Sequence, residues 1–420
     1  MTSSTEYPKT TPGPVPHDLD GPRIPLYSAE FGADPYGHYR MMRSRYGSLV
    51  PVELAPGVPA TLVIGYRTAL QILNDPSRFP ADPRTWQKGI PADCPVLPMM
   101  QYRPNALRTA GFEHARYRAA NSAALDAIDL YRLSDTIERV TTPLINMFST
   151  TGNCEIITQY AKPLVFATVN ELVGCSPGIG RRVSEGAAAM FDGIDAAEGN
   201  RIFTEALAEL TAQKRKDPGN DVTSWLIGHP VDLSDEEIVN QLVTIYVAAV
   251  EPGQNLIVNT LLLMLTDDRF AAGILGGSLA TRDALDEVLF DDSPMANFCM
   301  SYPRQPILVD NKWLPADQPV LISLAACNTD PAIRGAAVTQ NRSHLAFGAG
   351  PHACPARQVA EIIARDAIDQ LLDALPEITL AIPEHELHWR PGGFHRALTE
   401  LPVNFPPSPP INLSRPLPTL

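Results

Sequence analysis

The stretch His344-Leu345-Ala346-Phe347-Gly348-Ala349-Gly350-Pro351-His352-Ala353-Cys354-Pro355-Ala356-Arg357 decides how this chain is read. It sets one cysteine behind a glycine-rich segment and directly ahead of a helical pattern that runs from about Pro355 to Leu375. A thiolate is a soft, electron-rich ligand suited to a transition metal. Glycines ahead of it let the backbone pass close to a flat ligand. The helix behind it offers N-terminal N–H groups that moderate the sulfur's charge. A cysteine alone before a helix would read as a small buried hydrophobe. Here Phe347, Gly350, Cys354 and Ala356 stand together, with His352 two residues ahead of the sulfur.

The rest of the composition suits a large globular protein. Of 420 residues, 45% are hydrophobic and 19% charged, so a sizeable core can form and a disordered chain is excluded. A net charge of −14 argues against nucleic acid as the main partner. Six scattered cysteines without C-x-x-C pairs suit a reducing cytoplasm and give no zinc pattern. The polar, proline-rich start of the chain has no apolar core of signal-peptide length. The apolar run Leu256 to Leu265 is too short to span a membrane.

Residues 1–25 and 404–420 read as proline-rich tails, with one large domain, 26–403, between them. Helices are expected over Asp34–Tyr46, Arg67–Leu73, most of Glu113–Val173 and 284–290, and from Asp235 to about Leu265 behind a Ser234 cap. Leu49–Glu53 and Ala60–Ile64 read as a strand pair, and short strands are expected at Ile307–Val309, Trp313–Leu314 and Val320–Ile322. Phe79 to Asn105 carries six prolines and is expected to be irregular. The tally is mainly α with a small β-rich subregion.

The cysteine loop resembles the heme-binding loop of cytochromes P450, in which F-x-x-G-x-x-x-C-x-G/A is the signature, and the resemblance extends over about residues 22–405. It implies the cytochrome P450 fold and heme b, the iron protoporphyrin IX bound through the Cys354 thiolate. Phe347, Gly350 and Ala356 shape the loop in that reading. Lack of an N-terminal anchor resembles the soluble bacterial type, and a cytoplasmic location is expected. Ferredoxin and ferredoxin reductase would supply electrons at the cysteine side, near Arg116 and Arg357. His114 and Arg118 lie where relatives carry H-x-x-x-R. That spacing puts both on one helix face, so with His352 they are candidates for the heme propionates. Without the loop, the pair would read as a solvated face.

Two patterns depart from the family. Where E-x-x-R is expected, the chain has Glu287 but Phe290, which leaves Glu287 in need of another donor or solvated; Arg342 is a candidate. Where relatives carry A-G-x-E/D-T-T, Tyr246 to Asn255 keeps the acid as Glu251 but has Pro252 and Gly253 in place of the alcohols. Proline in a helix removes a donor and bends the axis. Ala248 would border the heme, and Glu251 and Gln254 are the candidate proton-handling residues.

By the resemblance, the substrate pocket draws on Trp86, Met99, Met100, Tyr102, Met190, Phe191, Val247, Val250, Asn297, Phe298 and Phe394. Singly, each reads equally as core; together they suit a flat, small aromatic substrate. The segments Phe79–Trp86 and Ile90–Pro95 resemble an actinobacterial subgroup that couples tryptophan-containing diketopiperazines. The expectation is therefore an oxidoreductase of secondary metabolism that performs oxidative C–C or C–N coupling. A hydroxylating monooxygenase on another natural product, a peroxide-driven heme enzyme and a non-catalytic heme-binding recruitment protein remain alternatives.

Overall fold

The computed structural model describes residues 17–18, 21–191, 196–270, 280–333 and 342–411. Its spine is the helix Asp235–Thr266, which is mostly buried along its length. Ser234 caps it through a reciprocal capping box with Glu237, which satisfies two end groups of the backbone. Helices Lys162–Leu172, Ala196–Lys216, Thr281–Asp291 and Arg357–Ala374 pack around it, and Leu130–Phe148 packs on Arg357–Ala374 and Lys162–Leu172. One continuous apolar cluster joins them, with Ile137, Tyr160, Leu261 and Ile368 all fully buried.

The β-rich part is a five-stranded sheet in the order Ile24–Pro25, Leu49–Glu53, Pro59–Val63, Val320–Ser323, Asn297–Ser301. Leu49–Glu53 and Pro59–Val63 pair antiparallel, Leu49 facing Val63. Asn297–Ser301 lies antiparallel to Val320–Ser323 with an irregular register between Phe298 and Ser301. Cys299 sits there with φ of +49°, a conformation costly for a residue with a Cβ.

Both stretches read as tails carry ordered contacts. Ile24 pairs with Val52. Beyond Asn404, the Ser408 N–H donates to the Ser149 carbonyl at 2.8 Å, and the Ile411 N–H donates to Asn146 Oδ1 at 2.6 Å. The proline-rich segment after Phe79 holds only the short turns Trp86–Gly89 and Leu97–Met100. No helix among the described residues is long and apolar enough to cross a membrane.

Candidate active site around Cys354

The cysteine loop is tied to itself before the helix begins. The Cys354 N–H donates to the Phe347 carbonyl at 2.8 Å, and the Gly348 N–H to Leu345 at 2.7 Å. Gly350 has φ of +68°, and a Cβ there would lie 2.2 Å from the Leu73 carbonyl oxygen, so only glycine lets the loop pass the helix Tyr66–Leu73. Arg357 covers the Phe347 ring at 5.3 Å and pairs with Glu361. The helix Arg357–Ala374 starts three residues after the sulfur.

Cys354 is exposed, yet burial pushes its thiol pKa up. Both statements describe one geometry: the sulfur faces open space inside a dense surround. The Ala356 N–H bonds to the sulfur, and the charges of Arg118 and Arg357 also favour the thiolate. Midway along the buried helix Asp235–Thr266, Val247 is 42% exposed and Ala248 is exposed as well.

Several nitrogen groups around this opening lack anionic partners among the described residues. His114 is buried, and its Nε2 has no hydrogen-bond partner. Its ring lies 4.0 Å from that of His352. Burial depresses the His352 pKa to about 3, with His114, Arg118 and Arg108 adding like charge. Arg118 makes no ion pair among the described residues. Orphaned donors and unmatched cations beside an inward-facing thiol fit a flat group that carries an iron and two carboxylates. The site therefore fits heme: Cys354 would hold the iron, and His114, Arg118 and His352 the propionates.

The acid on the central helix is firmly held. Glu251 accepts from Gln254 Nε2 at 3.0 Å, from Asn255 Nδ2 at 3.3 Å and from Arg390 Nη2. The His395 imidazole is close enough to feel Glu251, while burial lowers its own pKa. Gln254 is buried and its Oε1 has no partner. Pro252 cannot donate to the Ala248 carbonyl one turn back. Arg390 and His395, on the C-terminal turn around Phe394, were missed from sequence; only their nearness to Phe394 could have marked them.

Four of the expected pocket residues meet in one cluster: Trp86, Met100, Phe298 and Phe394, around Tyr302. Trp86 lies 5.5 Å from the Tyr302 ring. Asn297 is fully buried and already engaged, accepting from Tyr39 Oη at 3.1 Å and donating to the Gly393 carbonyl at 2.6 Å. Tyr102 is turned to Glu113, bonding it at 2.8 Å beneath Arg84. Val250 is buried in the helical core, and Met99 is half-buried, its carbonyl bound by Arg108. The side chains of Met190 and Phe191 lie outside the described residues.

The arginine that is absent at Phe290 is not replaced by Arg342. Arg342 pairs with Asp286 at 3.0 Å, while Glu287 pairs with Arg269 at 2.6 Å. Phe290 is 1% exposed and meets His344 edge-on, centroids 6.3 Å apart. The tie to the cysteine loop is Asn328, which sequence reading overlooked because nothing distinguishes it there. Its Nδ2 donates to the Leu289 carbonyl at 3.1 Å, and its Oδ1 accepts from the Leu345 N–H at 2.7 Å. Arg116 is also committed. It grips Glu237 with two nitrogens, 2.5 and 3.0 Å, and braces the start of the central helix rather than standing free for a partner.

No family model matches the chain. It is 26% identical over 398 residues to cytochrome P450 107B1 of Saccharopolyspora erythraea, covering 91% of this chain and 98% of that one. Likeness to the cytochrome P450 monooxygenase PikC of Streptomyces venezuelae is also 26%, over 90% and 92% of the two chains. Among solved structures, CYP154C4 from Streptomyces sp. W2061 superposes with a TM-score of 0.81 at 27% identity, covering 91% and 98%. The chain therefore has the cytochrome P450 fold with thiolate-ligated heme b as its cofactor, and these likenesses, with the thiolate loop and the cation-lined opening, support a monooxygenase similar to bacterial cytochromes P450.

Proposed function

We propose that the chain oxidises a small aromatic product of secondary metabolism, by C–C or C–N coupling of tryptophan-containing cyclic dipeptides. The observation that carries this reading is the central helix at Glu251-Pro252-Gly253, where no hydroxyl follows the acid. Heme, held through Cys354, supplies dioxygen activation. Glu251 is occupied by Arg390, Gln254 and Asn255, so its part is to hold Gln254 in place. Gln254 Oε1 and the Ala248 carbonyl are the acceptors that can orient a water or a substrate N–H. Neither is an acid.

The balance of the two reactions differs in where hydrogen comes from. Hydroxylation puts one atom of dioxygen into the product and reduces the other to water, using two electrons and two protons. Coupling breaks an aromatic C–H and a second C–H or N–H, forms one bond and reduces both oxygen atoms to water with the same two electrons and two protons. Half the hydrogen in that water is then the substrate's own. Both routes draw the same two protons through the site, so without a hydroxyl relay a substrate N–H held by an acceptor such as Gln254 Oε1 takes its place in the delivery path, and tryptophan-containing cyclic dipeptides carry such N–H groups. The clustering of Trp86, Met100, Phe298 and Phe394 supports an aromatic ligand. Ferredoxin and ferredoxin reductase are the proposed electron donors, with Arg357 beside the loop as a docking cation.

Relatives also fit a second reading, hydroxylation of another natural product. PikC is named a monooxygenase, and a relative from Pseudonocardia autotrophica, 25% identical, is named vitamin D(3) 25-hydroxylase. Turnover of cyclic dipeptides under isotopically labelled dioxygen separates the readings. Coupled dimers free of label support coupling, and a monomer carrying one labelled oxygen establishes hydroxylation instead.

A further inference from the structure

Arg108 lies just ahead of the helix Gly111–Asp126 and is 4% exposed. Among the described residues it makes no ion pair. Among the described residues its guanidinium donates to the Met99 carbonyl and lies over the Phe298 ring at 5.3 Å. A neutral carbonyl and a ring face do not balance a buried full charge, whose desolvation is costly without an anion. Arg103 adds like charge nearby and burial lowers the Arg108 pKa. The fold therefore holds a guanidinium in place for an anion that none of the described residues provides.

The surrounding groups locate that anion. The His352 ring N–H donates to the Ala106 carbonyl, two residues from Arg108, and His352 feels the Arg108 charge. The Cys299 thiol and the Tyr302 hydroxyl of the neighbouring strand segment lie near enough to feel the Arg108 charge. Cys299 Sγ in turn lies 3.3 Å from where a Cβ of Gly348 would be, so this strand touches the cysteine loop. Between Cys299 and Tyr302, Ser301 is 6% exposed and its Oγ has no partner. An unmatched cation and an orphaned hydroxyl thus belong to the two segments that meet His352 and the cysteine loop.

We propose that Arg108 is a heme-binding residue, clamping one heme propionate together with the Ser301 hydroxyl on the His352 side, while His114 and Arg118 serve the other. This rests on the heme reading of Cys354. It adds an anchor from the segment before the helix Gly111–Asp126, joined to the irregular strand Asn297–Ser301. Arg108 would also fix the Met99 carbonyl and the Phe298 ring against the cofactor, coupling the pocket wall to heme occupancy.

The test compares heme release from the holoprotein to a heme-scavenging apoprotein for wild type, Arg108→Gln and Arg108→Lys. Each is loaded with heme or with heme dimethyl ester, whose propionates carry no charge. Arg108→Gln is expected to speed heme release by about tenfold or more, the worth of a charge-assisted hydrogen bond. Release of the dimethyl ester should change little, and Arg108→Lys should restore most of the retention of heme. Equal acceleration for both cofactors would mean a packing role and overturn the proposal. Unchanged heme release would overturn it too, most directly if Arg108→Gln instead weakened the spectral shift caused by a carboxylate-bearing ligand. If wild type itself lacks the carbon monoxide band of a thiolate-bound heme, the heme reading fails rather than the Arg108 assignment.

Discussion

Truncating Asn328 to alanine should unfasten the cysteine loop from the helix Thr281–Asp291. Asn328 is fully buried, and so in effect are its two partners, Leu289 at 2% and Leu345 at 3% exposure. Asn328→Ala leaves the Leu345 N–H and the Leu289 carbonyl unsatisfied where water cannot reach them. Each orphaned group costs about 1–3 kcal/mol, so the pair costs roughly 2–6 kcal/mol. The loss propagates, because the Leu345 carbonyl accepts from Gly348 and the Phe347 carbonyl from Cys354. Urea unfolding of the variant should show a lowered midpoint at unchanged slope. Its reduced, carbon monoxide-bound form should also lose part of the thiolate-heme band. Thr329→Ala is the control: that hydroxyl bonds only carbonyls of its own turn, and the change should cost within about 0.5 kcal/mol. A cost for Asn328→Ala below about 1 kcal/mol, with the thiolate band intact, would refute the assignment of Asn328 as the tie.

Removing Arg390 as Arg390→Leu leaves the buried Glu251 without its cation; because the Arg390 side chain is 44% exposed, the expected cost is only about 1–2 kcal/mol, read by thermal unfolding. Its effect on turnover should be matched by Glu251→Gln, and unequal losses would show that the two do not act as a unit. Arg269→Ala should cost under about 1 kcal/mol and leave heme content unchanged, since the Glu287–Arg269 pair is surface-exposed on the arginine side; loss of heme would restore Glu287 to the loop's support. Burial depresses the His344 pKa to about 4 from an ordinary 6.5. Below 6.5 the unfolded chain therefore binds the extra proton first, and stability should fall as pH drops from about 6.5 to 4, by roughly 3 kcal/mol from this group. Urea midpoints across that window should fall less steeply for His344→Gln, and parallel curves would contradict the assignment.

The parts of the site that read well from sequence are those carried by local chemistry. Cys354 with its glycines, His352 and the following helix form one contiguous signal, because a loop-to-helix ligand needs its neighbours at fixed spacing. The Ser234 cap likewise announced the helix that ends at Thr266, against an expected end near Leu265. What was misjudged depends on partners far away in the chain. Arg342 looked free for Glu287 until folding gave it Asp286 and gave Glu287 Arg269. Arg116 looked available to a redox partner until Glu237 took it. Asn297 looked like a pocket residue until Tyr39 and Gly393 claimed its amide.

The order of residues was enough to declare a thiolate ligand, a mainly helical chain and a helix acid with no alcohol behind it, since each is a matter of residue type at short separation. Only the fold could bring Arg390 to Glu251 across 139 residues, and leave Arg108 buried with no counter-ion among the described residues. Charge pairing depends on which side chains end up within a few ångströms, and that distance is decided by packing, not by position along the chain.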